Sequence, residues 1–204
     1  MFGTWWRARR DPETRARVTQ EHARREGTGD AFDVAADAWE EAGRNKQAGR
    51  MRQRANELHV TEAIALLERR LEHAASEAGF FEYGVVEPRG DFWLSEDDHF
   101  SRGKSLAIIV PGGERNVVFE ALIQKLEGPH WRAMTQRRER YGRVIIKGSH
   151  RDVGGGFEPV SLDAVLGEVE SRYRQLILAS VREARRRLGM DPSATRSRPR
   201  RSRR

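Results

Sequence analysis

The spacing of apolar residues changes near residue 79, and the change splits the chain into two regions of different character. Up to that point apolar positions recur every three or four residues, as on helices. Asp11, Pro12 and Glu13 make a strong helix start: a carboxylate for the first amides, a proline the first turn tolerates, and an acid at the positive dipole end. This helix is expected to end near residue 25, before Gly27, with Val18 its one large aliphatic side chain. Asp30 is expected to cap a second helix, whose Phe32, Ala35, Ala36, Trp39 and Ala42 share one face. A third opens near Lys46 and carries Ala48, Met51, Ala55 and Leu58. From 61 to 78, Ile64, Leu67, Leu71, Ala74, Ala75 and Ala78 mark an amphipathic helix, either separate from the third or continuous with it.

Beyond Gly79 the chain turns aromatic and β-branched, which suits strands. Residues 80–87 are expected as a strand, 88–91 as a turn and 91–95 as the return strand of a hairpin. The apolar run 106–110 predicts a strand at a sheet centre, and 144–147 predicts another. Between them, Val117, Val118, Ala121, Leu122 and Leu126 fit a helix over 114–126, and the basic segment 130–141 also reads as helical. Residues 161–189 predict the longest helix, with Leu162, Leu166, Val169, Tyr173 and Leu176 in 4-3-4-3 spacing. The expected fold class is therefore α+β. A helical region (11–78) precedes a small mixed β-sheet packed by helices (80–189). An apolar and basic stub (1–10) and a disordered arginine-rich tail (190–204) flank them.

Phe32, Ala36, Trp39, Ala48 and Ala55 together resemble one tetratricopeptide-type helical hairpin. The sequence departs from that pattern at Arg52, where an apolar residue belongs, and at Val60, where the closing proline belongs. No second copy follows, whereas such folds bury their faces through about three repeats. The expectation for 30–59 is an ordinary helical hairpin.

Composition narrows the class further. Charged residues make up 34% and hydrophobic residues 37%, so the core must be lean. The longest apolar runs, 63–67 and 106–110, fall far short of the ~20 residues that a membrane helix needs. The absence of cysteine excludes disulfides and thiolate metal sites. With no apolar core of signal-peptide length after residue 1, the expected location is the cytoplasm. The net charge is +7, yet residues 192–204 hold Arg196, Arg198, Arg200, Arg201, Arg203 and Arg204 and no acid. Without those six arginines the chain is only +1. The basicity is local.

Two sets of residues carry candidate chemistry. Trp131, Arg132, Arg137, Arg138, Arg140 and Arg143 mix an aromatic ring with cations, a combination that stacks on bases and contacts phosphates. With the six tail arginines they point to nucleic acid or an acidic protein as partner. The alternative is a metal-dependent hydrolase acting on phosphoesters. It would hold a divalent metal ion between the 96–99 loop (Asp97, Asp98, His99) and His150 with Asp152. That composite site requires the 106–110 and 144–147 strands to pair antiparallel. A further alternative is a homo-oligomer assembled through the 161–189 helix.

Other motifs fail. Gly103-Lys104-Ser105 is followed by a strand where a phosphate loop needs a helix. The glycines at 154–156 precede a helix start already flanked by Glu158 and Asp163. Ser105, Ser149 and Ser161 all lack the Gly-x-Ser-x-Gly context of a hydrolase. No catalytic motif survives, and no resident cofactor is expected on the favoured reading. That reading is a binding protein.

Overall fold

The computed structural model describes the backbone of residues 11–96, 99–110, 115–126, 128, 130–141, 144–153 and 161–190. Within these stretches the side chains of 90–96, 99–103, 105, 115–116, 138–141 and 144–153 lie outside the described set. The protein is α+β: among the described residues three helices precede a five-stranded antiparallel sheet, and a fourth helix follows it.

Helix α1 (Pro12–Glu26) begins as its sequence dictates, with the Asp11 carboxylate accepting from the amides of Glu13 (3.1 Å) and Thr14 (3.3 Å). Gly27 ends it in the left-handed conformation (φ 68°) that favours glycine. In helix α2 (Gly29–Glu41) the cap is Thr28, whose hydroxyl accepts from Ala31, and not the expected Asp30. Asp30 falls inside the first turn, and this frees its carboxylate for the solvent side. Helix α3 (Asn45–Glu77) is one continuous rod of 33 residues, about 50 Å long at 1.5 Å per residue.

A 3₁₀ turn (Phe80–Glu82) follows where a strand was expected. The sheet is a meander in chain order: β1 (Val85–Glu96), β2 (His99–Ile109), β3 (Arg115–Lys125), β4 (Trp131–Tyr141) and β5 (Val144–Val153). Every neighbouring pair is antiparallel, so the sheet is not mixed. The expected turn at 88–91 is only a register shift between Pro88 and Gly90 inside β1. Helix α4 (Leu162–Arg187) closes the fold, with the Ser161 hydroxyl accepting from Ala164.

The two segments expected as helices, 114–126 and 130–141, hold strands β3 and β4 instead. The reason is two-sided burial. Phe119, Ala121 and Ile123 alternate into the helix-covered core, while Val118 and Leu122, on the other face, are also buried. A strand buried on both faces shows a nearly continuous apolar run, which fits a helical period as well as a strand period. In β4, Trp131 and Ala133 join that core and Thr135 is buried on the same face, receiving a hydrogen bond from Arg172 of α4 (3.0 Å).

The main core joins Val60, Ile64, Leu67 and Leu71 of α3 to Leu106, Ile108, Phe119 and Ile123 of the sheet and to Val165, Leu166, Val169 and Tyr173 of α4. The second half of α3 thus belongs to the same packed unit as residues 80–189. Its first half packs elsewhere: Ala55, Met51 and Leu58 meet Ala23, Phe32 and Ala35, and Ala48 meets Ala16 and Trp39. Arg70 of α3 pairs with Asp163, and Arg174 of α4 reaches Glu77 at 2.6 Å, so ion pairs flank the α3–α4 contact. The 4-3-4-3 stripe of α4 is turned into this core: Leu166 and Val169 are fully buried, and Tyr173 and Leu176 nearly so. It does not form a free seam for a second copy.

Leu67 sits at the centre of this core with no exposed surface. Leu67→Ala should lower unfolding free energy by about 2–5 kcal/mol in urea titration. Val34→Ala, at an exposed position, should change it by less than about 0.5 kcal/mol.

Candidate functional site

Strand alternation breaks up the expected aromatic and arginine constellation. Trp131 is only 7% exposed and packs in the main core, so it offers no face to a base. Arg132 is half-buried, on the opposite face from Trp131, and Arg137 is exposed on the helix-covered side. The side chains of Arg138, Arg140 and Arg143, and all of 192–204 with Arg196, Arg198, Arg200, Arg201, Arg203 and Arg204, lie outside the described residues.

The composite metal site fails on register. Strand β5 pairs with β4, not with β2. His150 lies opposite Gln136, which lies opposite Glu120, which lies opposite Ser105. His99 is therefore six residues along β2 from the row of His150, and three strands across. At about 3.3 Å per residue and about 4.8 Å per strand the two backbones are roughly 24 Å apart. One ion, with ligands at about 2.0–2.6 Å, cannot join them. Asp152 shares the β5 position, while Asp97 and Asp98 lie outside the described residues.

The structure instead assembles a polar cavity of about 840 Å³ between α2, α3 and the β3–β4 connection. Its helical wall carries Asp30, Asp33 and Asp37 of α2 with Arg52, Asn56 and His59 of α3. The facing wall carries Lys125 and Trp131 from either end of the β3–β4 connection, and Leu162 at the start of α4. Asp30, Asp33 and Asp37 share a side of α2 because they are three and four residues apart.

His59 is the centre of the helical wall. Its side chain is 15% exposed, and Nε2 lies 2.9 Å from an Asp33 carboxylate oxygen and 3.9 Å from one of Asp30. The ring lies against α2 where Gly29 has no side chain; a Cβ there would stand 2.5 Å from the ring atoms. Arg52 pairs with Asp37 (2.9 Å) and with Glu40, and those carboxylates, Glu40 foremost, raise its already high pKa.

Lys125 is the unusual group on the other wall. It is only 9% exposed; its amine donates to the Gly128 carbonyl and lies 5.3 Å from the centre of the Trp131 ring. Burial pushes its pKa below the usual lysine range, and the Asp33 charge opposes that shift only in part. Asp30, Asp33, His59 and Lys125 carry no sequence motif: Asp30 reads as a helix cap, and the one local signal is the three-residue spacing of Asp30 and Asp33. His59 comes 26 residues after Asp33 and meets it only because the hairpin folds back.

Taken as a class, this is an α+β protein with an open cavity of mixed charge at the joint between a helical hairpin and an antiparallel sheet. Set against protein-family models, curated proteins and solved structures, the chain matches none of them. Among the described residues no helix is long and apolar enough to cross a membrane.

Gly29→Ala should cost about 1–3 kcal/mol by pressing the new methyl on the His59 ring. In a His59→Ala background the same change should cost nothing or stabilise by up to about 1 kcal/mol, since alanine is the better helix former. A double-mutant cycle in urea measures the difference. Lys125 adds a pH dependence. Because its folded pKa is lowered, the unfolded chain binds more protons in the window between the folded pKa and about 10.4. Stability of the natural protein relative to Lys125→Met should therefore rise with pH through that window. Denaturation at pH 7, 9 and 10 tests it; a constant or falling difference contradicts it.

Proposed function

We propose that the protein works by binding, and that the arginine-rich stretch 192–204 attaches it to a polyanion, nucleic acid foremost. The supporting observation is how charge is divided. Within the folded body many arginines are matched to its own acids: Arg15 to Glu41, Arg44 to Glu13, Arg52 to Asp37, Arg70 to Asp163 and Arg174 to Glu77. At the end of α4, Arg186 and Arg187 share the single carboxylate of Glu183, and Arg185 lies over the Tyr83 ring. The following stretch then adds six arginines and no acid. Such a stretch gains by releasing counterions from phosphates, whatever their base sequence.

The absence of cysteine fits a reducing compartment, so a cytoplasmic nucleic acid is the partner of this reading. An acidic protein would be attracted by the same arginines. The two partners differ in what nuclease treatment releases.

Deleting 192–204 should reduce retention on duplex DNA. It should also lower the slope of log affinity against log salt by up to about 5, at about 0.9 per phosphate contact. A deletion that leaves both affinity at low salt and the slope unchanged would remove the basis of this function.

A further inference from the structure

The cavity at the α2–α3–sheet joint contains two features that a single bound species would explain together. The first is a ligand set. One carboxylate oxygen each from Asp30 and Asp33 and one ring nitrogen of His59 all lie within 4.8 Å of one another. Ligand atoms held about 2.1 Å from an ion sit roughly 3 Å apart in its coordination sphere, so little rearrangement separates this set from a working one. The seat against Gly29 fixes where the imidazole points. Two hard oxygens and one borderline nitrogen suit manganese or zinc, and three protein ligands leave coordination positions open.

The second feature is Lys125. It is nine-tenths buried, and among the described residues its contacts are a neutral carbonyl and an aromatic ring, with no ion pair to a carboxylate. A buried ammonium without a counter-ion is costly, and an incoming anion relieves that cost. Arg52, in the same cavity, is already matched to Asp37 and Glu40, so among the described lining residues Lys125 is the cation with capacity for a ligand. The acids offer ligand oxygens to a cation, and the ammonium offers a donor to an anion. We propose that Asp30, Asp33 and His59 bind one divalent metal ion whose open positions take a small oxyanion, phosphate or carboxylate, held from the other side by Lys125.

The test uses the full chain, titrated with Mn²⁺ by calorimetry and by the loss of the free-ion electron paramagnetic resonance signal. The natural protein should bind one equivalent, and Asp30→Asn and His59→Gln should each weaken binding at least tenfold. Asp30→Asn guards against misfolding, because the Asp30 side chain is 96% exposed and its described ion-pair contact is the 3.9 Å approach to His59. Its thermal melt should match that of the natural protein. Inorganic phosphate should tighten Mn²⁺ binding at least threefold in the natural protein and have no such effect in Lys125→Met. Absence of saturable Mn²⁺ binding, or unchanged binding in Asp30→Asn, overturns the metal site. Equal phosphate effects with and without Lys125 overturn the role of the ammonium.

Discussion

Everything in this fold depends on the burial of one stripe, Val60, Ile64, Leu67, Leu71, Ala74 and Ala75, along the second half of helix α3. These side chains fill the space between the sheet and α4, and burial of large aliphatic groups at about 1.5–3 kcal/mol each is the dominant favourable term available to a chain with so lean a core. The first half of the same helix organises α1 and α2 through small residues: Ala16, Ala23, Ala35, Ala48 and Ala55 let the helices approach closely, with Phe32 and Trp39 filling the remaining volume. One rod therefore ties two cores together. His59 stands immediately before the first residue of the main core, so the polar cavity forms at the joint because that is where α3 passes from one partner to the other.

The helical part of the fold was legible in the sequence because each helix carries its own punctuation. Asp11, Pro12, Gly27, Gly43 and Gly79 mark ends by local chemistry that tertiary packing does not override. The sheet was legible only in part. The run at 106–110 falls in β2 up to Ile109 and the segment at 144–147 lies in β5, but the spacing over β3 and β4 predicts helices. In β3 the cause is burial of Val118 and Leu122 behind the core face, which hides the alternation. In β4 it is the density of arginine, which favours a helical reading until Trp131, Ala133 and Thr135 are seen to share one face. A meander pairs each strand of 10 to 12 residues with its neighbour in the chain, which takes only a short connection and no crossover helix.

Site chemistry was less legible than fold, for a physical reason. The residues that sequence singled out, His99 with His150, were joined by an assumed strand pairing, and pairing is decided by the whole sheet rather than by either strand. The residues that do meet, Asp30, Asp33, His59 and Lys125, are separated along the chain and drawn together by packing of apolar neighbours. Charge tells a parallel story. Among the described residues many arginines pair with the protein's own acids, and the proposed partners are assigned to the cavity and to the arginine-rich stretch.

The central claim is that α3 is a single continuous element whose second half is as stable as the sheet it packs on. Native-state hydrogen exchange across 45–77 tests this directly. Amides from Val60 to Ala75 should open only with the strands β2 and β3 and with α4, at the free energy of global unfolding. Exchange of those amides ahead of the sheet, together with α1 and α2, would contradict the claim.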